Sequence, residues 1–157
     1  YLKSEIKKLH QEGIRIRIIG DHSRLDLDIS ELIKEAEEKT SKNIRLNLTI
    51  ALSYGSRAEI AAASQKIMRQ ILAGKLKIDE VSEELFTANL YTTELPDPDL
   101  LIRTSGEYRI SNFLLWQIAY TELVFLDKHW PDFSKDDLRI AIEEFRSRER
   151  RFGTTGG

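Results

Sequence analysis

The 157-residue chain contains no cysteine, one methionine, three prolines and two tryptophans. The lack of cysteine excludes disulfides, thiolate metal sites and a cysteine nucleophile, and it fits a reducing compartment such as the cytoplasm. No apolar run has the length of a membrane span, and no signal-peptide pattern is visible. The formal net charge of −2 excludes a global basic field for nucleic-acid binding. Any affinity for anions must therefore come from local clusters.

Strand patterns recur along the chain at regular intervals. Apolar and polar residues alternate strictly over 14–19 and 44–52, and short apolar runs occupy 100–103 and 123–126. In the second of these strands the alternation places Leu46 on the apolar face. The length of the chain predicts one domain.

Helix patterns lie between the predicted strands. Capping residues place helix starts at Asp28, at Ser56 with Glu59, and at Ser134 with Asp137. The alternation of strands and helices predicts an α/β fold with a mainly parallel sheet and helices on both faces. Ligands of such sheets bind beyond the carboxyl ends of the strands.

The segment 95–133 carries the strongest functional signal. A short buried strand runs into a loop that contains Arg103, Arg109 and Ser111, and an apolar helix is predicted from about Asn112. Free backbone N–H groups, a helix N-terminus and two guanidinium groups would then converge on one anion, so a phosphorylated ligand is the first hypothesis. The alternative is a structural loop in which the arginines pair with nearby carboxylates such as Glu107.

Two further groups of residues allow more than one interpretation. Glu122 lies between apolar segments, where it forms either a salt bridge or, beside a diphosphate, a magnesium ligand. The basic run that includes Arg146, Arg148 and Arg151 is either a solvated face at a helix C-terminus or a contact to a phosphate site. The three histidines show no metal-ligand spacing.

Four segments together resemble the cis-prenyltransferase family, that of the bacterial undecaprenyl diphosphate synthases. They are IRIIGD (16–21), LTIALSYGSR (48–57), DLLIRTSGEYRISNFLLWQIAYTELVFLDKHWPDF (99–133) and RERRFG (148–153). The resemblance covers essentially the whole chain. It implies a homodimeric enzyme that uses Mg²⁺ to condense isopentenyl diphosphate with an allylic diphosphate such as farnesyl diphosphate in the cis configuration. The product would be the lipid carrier of bacterial cell-wall synthesis, and through it the enzyme would contact the membrane surface.

The resemblance also assigns individual positions. Three side chains and one backbone position would hold the diphosphate of isopentenyl diphosphate: Arg103, Arg109, Ser111 and the backbone of Ile110. Glu122 would ligate magnesium, and Leu46 would lie near the floor of the product tunnel. Arg151 and Gly153 would form an R-x-G element that reaches across the dimer interface.

The chain departs from the family pattern in one important respect. The family's catalytic aspartate lies in a D-G-N-G-R-W-A loop, and its asparagine and tryptophan lie in F-S-x-E-N-W, but neither motif occurs here. We therefore expect residues 1–157 to be the C-terminal portion of a single catalytic domain, with no catalytic residue of its own and no turnover. A non-catalytic partner subunit of the same family and a generic phosphate-binding α/β module are the alternatives.

Overall fold

A computed structural model of the chain describes residues 2–148, and the chain divides into two units between Glu94 and Leu95. The elements of the first unit are α1 (Leu2–Gln11), β1 (Ile14–Ile19), α2 (Leu27–Thr40), β2 (Leu46–Ala51), α3 (Ser56–Leu72) and α4 (Glu83–Thr87), with single 3₁₀ turns at His22–Arg24 and Ile78–Glu80. Strands β1 and β2 are parallel, with Ile14 opposite Leu46 and Ile19 opposite Ala51.

The outer edge of β1 is bonded to side chains instead of to another strand. The N–H of Ile16 donates to Thr40 Oγ1 at 2.9 Å, and the N–H of Ile18 donates to Glu37 Oε1 at 2.8 Å. Near the start of the strand, Asn43 Nδ2 donates to the carbonyl of Ile14 at 2.7 Å. Helix α2 and the turn that follows it therefore supply partners that a third strand would otherwise provide.

The core of the first unit lies between β1, α2 and α3. Its buried apolar residues are Ile16, Ile19, Ile33, Ala36, Ala63, Ile67 and Leu90. The alternating apolar face predicted for β2 is largely open by contrast, since Leu46 is 55% exposed and Ile50 is 45% exposed. The strand prediction is thus confirmed, while burial of this face is not seen among the described residues.

The starts of α2 and α3 differ from the predictions. Helix α2 is capped at Asp26, two residues before the predicted Asp28. Gly55 caps α3, and the predicted capping box of Ser56 and Glu59 does not form. The N–H of Glu59 donates to the carbonyl of Gly55 at 3.0 Å, and its carboxylate accepts the Tyr54 hydroxyl and the Tyr91 N–H.

Gly20, which directly follows β1, lies against the backbone at the end of β2. Its φ is +133°, and a Cβ at this position would lie 1.9 Å from the carbonyl oxygen of Leu52. The N–H of Leu52 donates to Ile19 at 2.9 Å, which extends the pairing of the two strands to this point. Only glycine allows so close an approach with this backbone conformation.

The second unit contains β3 (Leu100–Arg103), β4 (Glu122–Phe125), a 3₁₀ turn at Trp130–Asp132 and α5 (Lys135–Ser147). Strands β3 and β4 are parallel, with Leu100 opposite Glu122 and Arg103 opposite Phe125. The predicted capping box of Ser134 and Asp137 is present at the start of α5.

The helix predicted from about Asn112 is wrong. Residues 111–120 form turns, and three of them, Ser111, Asn112 and Leu114, have left-handed φ values of 54°, 62° and 47°. An α-helix requires successive residues in the right-handed region, and these left-handed residues interrupt it. One helical bond in this segment runs from the Ile118 N–H to the Leu114 carbonyl.

The structure confirms an α/β fold in which the strands are parallel. The four strands form two separate parallel pairs. No helix among residues 2–148 combines the length and the apolar character that a membrane span requires. The prediction that the chain is part of a single domain stays a prediction.

Candidate functional site

Arg103 is hydrogen-bonded to two other residues of the predicted anion site, Arg109 and Ser111. It is the last residue of β3, and its Nη1 donates to Ser111 Oγ at 3.0 Å and to the carbonyl of Arg109. The side chain therefore closes the loop that begins where the strand ends. Among residues 2–148, Arg103 forms no ion pair, so its positive charge is not neutralised within the loop.

Arg109 shows the alternative arrangement that the sequence allowed. Its Nη1 forms an ion pair with the Glu107 carboxylate, and the two side chains are 65% and 37% exposed. An exposed pair of this kind contributes little to stability, so an anionic ligand can compete for the guanidinium. The loop thus contains Arg103, which has no ion-pair partner among residues 2–148, and Arg109, which pairs with Glu107.

The backbone amides of the loop correspond only partly to the prediction. Ser105 donates its N–H to the carbonyl of Lys128 at 2.8 Å, and Gly106 donates to that of Leu126 at 3.0 Å. These two amides are committed to the segment after β4 and are not available to an anion in this arrangement. The N–H of Ile110, by contrast, donates to no residue of the described part of the chain.

Without a helix at 112–119, the predicted helix dipole is also missing from the site. Any attraction for an anion therefore rests on the two guanidinium groups, the Ser111 hydroxyl and the Ile110 amide. Charge-assisted hydrogen bonds from guanidinium groups are stronger than neutral ones, so this set is still suited to a phosphate or diphosphate.

Glu122 lies at the other end of the same strand pair. It opens β4 opposite Leu100, three residues before Arg103 on the neighbouring strand. Three residues of a strand span about 10 Å, so the backbone of Glu122 and that of Arg103 lie at opposite ends of the strand pair. Its Oε2 instead accepts a hydrogen bond from Arg148 Nη1 at 2.9 Å.

Arg148 is a residue whose specific role the sequence did not reveal. Its Nη1 also donates to the carbonyl of Leu123 at 2.9 Å, and its Nη2 pairs with Glu144. The hydrogen bonds that Arg148 donates to Glu122 and then to Glu144 raise its pKa above the usual value. No spacing rule connects a residue at the end of a helix with a carboxylate 26 positions earlier, so the solvated-face interpretation was the natural one.

The chemistry of Glu122 is compatible with one magnesium ligand. Magnesium prefers oxygen donors and usually takes one or two carboxylates together with phosphate oxygens. Oε1 of Glu122 accepts no hydrogen bond from residues 2–148, and the side chain is 26% exposed. Across this part of the chain no three His, Asp or Glu side chains are grouped to hold a metal. Residues 2–148 therefore offer the carboxylate of Glu122, without a group of three such side chains, at this position.

Leu46 begins β2 and is 55% exposed. Arg151 and Gly153 lie outside the described residues.

A buried polar network in the first unit also escaped the sequence analysis. Glu59 is only 1% exposed, and its two carboxylate oxygens accept the Tyr54 hydroxyl at 2.5 Å and the Tyr91 N–H at 2.7 Å. Burial, followed by the negative charges of Asp21 and Glu59, raises the pKa of the Tyr91 hydroxyl. The only sequence signal was that Tyr54 and Asp21 follow predicted strands.

Residues 1–153 match the family model described as putative undecaprenyl diphosphate synthase. Among curated relatives, isoprenyl transferase 2 of Bradyrhizobium diazoefficiens is 50% identical over 153 residues, which are 98% of this chain and 61% of the relative. The isoprenyl transferase of Brucella suis is 52% identical, with 98% and 60% covered. The chain thus spans about three-fifths of the length of these relatives.

Solved structures show the same similarity. Lavandulyl diphosphate synthase from Lavandula x intermedia, crystallised in complex with dimethylallyl diphosphate, has a TM-score of 0.93 and 40% identity, with 98% of this chain and 66% of that chain covered. A probable undecaprenyl diphosphate synthase from Campylobacter jejuni has a TM-score of 0.84 and 38% identity, with 98% and 69% covered.

Proposed function

Because the chain belongs to the undecaprenyl diphosphate synthase family of prenyltransferases, we propose that it binds isopentenyl diphosphate for condensation with an allylic diphosphate. The allylic substrate would be farnesyl diphosphate or a similar compound, and each added unit would have the cis configuration. The polyprenyl product would act as the lipid carrier of cell-wall synthesis and bring the protein to the membrane surface.

One observation carries this proposal. Arg103 donates to Ser111 Oγ and to the carbonyl of Arg109, so the three positions that the family resemblance assigns to the diphosphate lie in one closed loop. The loop begins at the carboxyl end of a parallel strand, where ligands of α/β sheets bind. The free guanidinium charge of Arg103 favours an anion there.

In the proposed reaction, the residues of this loop bind and orient the diphosphate end of isopentenyl diphosphate. Arg103 and Arg109 neutralise its charge, while Ser111 and the Ile110 amide fix its direction. The double bond at the other end then attacks the allylic carbon, the allylic diphosphate leaves, and a proton is removed from the new chain. A magnesium ion held in part by Glu122 would supply charge neutralisation for the diphosphate groups.

Further features support other parts of the proposal. The open apolar face of β2, with Leu46 and Ile50, provides a surface suited to a growing prenyl chain. We also propose a homodimer in which the R-x-G element of Arg151 and Gly153 reaches the partner's site.

Binding of isopentenyl diphosphate provides the direct test. We expect Arg103→Ala to weaken it about 10- to 100-fold, because hydrogen bonds to charged groups contribute about 1.5–3 kcal/mol each. Isothermal titration calorimetry of the 157-residue chain measures this change.

Arg139→Ala is the matched control, because Arg139 is an arginine of α5 that pairs with Glu143 at 3.0 Å and lies outside the loop. We expect this variant to bind like the parent. Equal affinity of Arg103→Ala and the parent would support the structural-loop interpretation and contradict the proposal.

Turnover is a separate prediction. The motifs to which the family resemblance assigns the catalytic aspartate and asparagine do not occur among these 157 residues. We therefore expect the purified polypeptide to bind isopentenyl diphosphate without extending farnesyl diphosphate. Incorporation of radiolabelled isopentenyl diphosphate in the presence of magnesium measures this, and detectable polyprenyl product would show that the expectation is wrong.

A further inference from the structure

Two carboxylates of the second unit face the same guanidinium group. Arg148 Nη1 donates to Glu122 Oε2 at 2.9 Å, and Nη2 pairs with Glu144. Nη1 also donates to the backbone carbonyl of Leu123 at 2.9 Å, so the side chain is fixed at three points. The contacts join the end of α5 to the start of β4.

The geometry limits what Glu122 can do while Arg148 is in place. The guanidinium occupies one of the two carboxylate oxygens and places a positive charge beside the other. A divalent cation approaching Glu122 must therefore displace this hydrogen bond or tolerate the repulsion. Neither effect depends on the loop of Arg103, which lies at the other end of the strands.

The exposure of the three side chains makes such a displacement feasible. Arg148 is 33% exposed, Glu122 26% and Glu144 45%. Water can therefore solvate the guanidinium once it leaves Glu122, and Glu144 remains as its second partner. A deeply buried pair would not separate so readily, because each ion would lose its partner without gaining water.

We propose that Arg148 is a positioning residue that holds the Glu122 carboxylate in the absence of a cation and competes with a divalent cation for it. This inference rests on the proposed role of Glu122 as a magnesium ligand. Arg148 sets the orientation of the carboxylate through the hydrogen bond to Oε2 and weakens cation binding through its charge. Cation affinity at this position is therefore lower than the carboxylate alone would give.

Titration with Mn²⁺ as the probe tests the proposal, with free Mn²⁺ followed by electron paramagnetic resonance. Inorganic diphosphate is present at a fixed concentration to supply phosphate oxygens. We expect Arg148→Met to lower the Mn²⁺ dissociation constant about five-fold, since removal of an ion pair of this exposure changes an equilibrium by about that factor. Arg148→Lys, which keeps a positive charge but loses the planar fork, should fall between the parent and Arg148→Met.

Two controls separate competition from structural effects. Arg146→Met removes an exposed arginine from the last turn of α5, and it should leave Mn²⁺ affinity unchanged. In the background of Glu122→Gln, the Arg148→Met substitution should have no effect on Mn²⁺ affinity. Thermal unfolding of each variant establishes that it is folded. Because Mn²⁺ affinity is compared across Arg, Lys and Met at position 148, the conclusion does not depend on one variant alone.

The possible outcomes are distinct. Tighter Mn²⁺ binding in Arg148→Met that disappears with Glu122→Gln supports the proposal. Unchanged or weaker binding in the folded Arg148 variants, or no Mn²⁺ binding that depends on Glu122, overturns it. Calorimetric binding of metal-free isopentenyl diphosphate, measured separately with Arg103→Ala, reports on the proposed function. The two proposals can therefore fail independently.

Discussion

At the scale of single residues, the backbone contact of Gly20 leads to a clear expectation. A Cβ there would meet the Leu52 carbonyl oxygen at 1.9 Å, and a φ of +133° is strained for any residue with a side chain. We expect Gly20→Ala to lower the free energy of unfolding by more than the roughly 1–3 kcal/mol of backbone strain alone. Urea unfolding measures this loss.

Gly74 is the matched control for that substitution. Its φ is also positive, at +67°, but a Cβ added there would meet no atom within 4 Å, so Gly74→Ala introduces strain without a clash. We expect Gly74→Ala to lower the free energy of unfolding by about 1–2 kcal/mol. Equal losses in the two variants would show that β1 and β2 can separate at this end without cost.

The residues of the anion site were predictable only in part. Arg103 and Ser111 are close in sequence, and a strand that ends in a loop brings them together, so their contact follows from local structure. The hydrogen bonds of the Ser105 and Gly106 amides were not predictable, because their acceptors, Lys128 and Leu126, are distant in sequence and belong to the segment after another strand. Long-range partners of this kind leave no periodic signal.

At the scale of elements, the capping box of α5 provides a prediction about pH. The hydrogen bonds from Lys128 and then Ser134 lower the pKa of Asp137 from 3.8 to about 2. The unfolded state therefore binds this proton more readily, and the stabilisation present above pH 3.8 is lost as the pH falls towards 2. Thermal unfolding across this interval should show a steeper decline for the parent than for Asp137→Asn.

Asp136→Asn is the comparison for this experiment. Asp136 lies in the same first turn, but its side chain is 83% exposed and its arginine partner is 3.6 Å away. We expect it to change the acid dependence less than Asp137→Asn does. Identical slopes for the parent and Asp137→Asn would contradict the assignment of this acid sensitivity to the Asp137 carboxylate and its partners Lys128 and Ser134.

The alternating strands and the capping box of α5 were predicted well, whereas the starts of α2 and α3 and the segment after Ser111 were not. The alternation in β1 and β2 and the box of Ser134 and Asp137 are local patterns, and the structure contains all three. The segment after Ser111 has two short apolar runs separated by Gln117, and such runs do not distinguish a helix from a packed series of turns. The left-handed residues of this segment determine its backbone conformation. The sequence gives little indication of which residues adopt that conformation.

At the scale of the whole molecule, the hydroxyl of Tyr91 should set part of the alkaline limit of stability. Its pKa lies above the usual 10.0 because of burial and then the charges of Asp21 and Glu59. The unfolded chain therefore ionises first, and stability falls as the pH rises above 10.0. In urea unfolding between about pH 9 and pH 11, Tyr91→Phe should lose less stability than the parent.

Tyr120→Phe serves as the comparison, because the Tyr120 side chain lies in the second unit and is 66% exposed. Tyr120→Phe should lose as much stability as the parent between about pH 9 and pH 11. If Tyr91→Phe also follows the parent, the alkaline sensitivity has another origin.

The bonding of the β1 edge by Thr40, Glu37 and Asn43 has a practical consequence for handling the protein. A bare strand edge acts as a template on which other copies can add strands and grow into insoluble deposits. Here three side chains already occupy that template, one on every second residue. The yield of soluble material from an expression culture, and the concentration it tolerates on storage, should therefore depend on Glu37 and Thr40 of α2 and on Asn43 in the turn that follows.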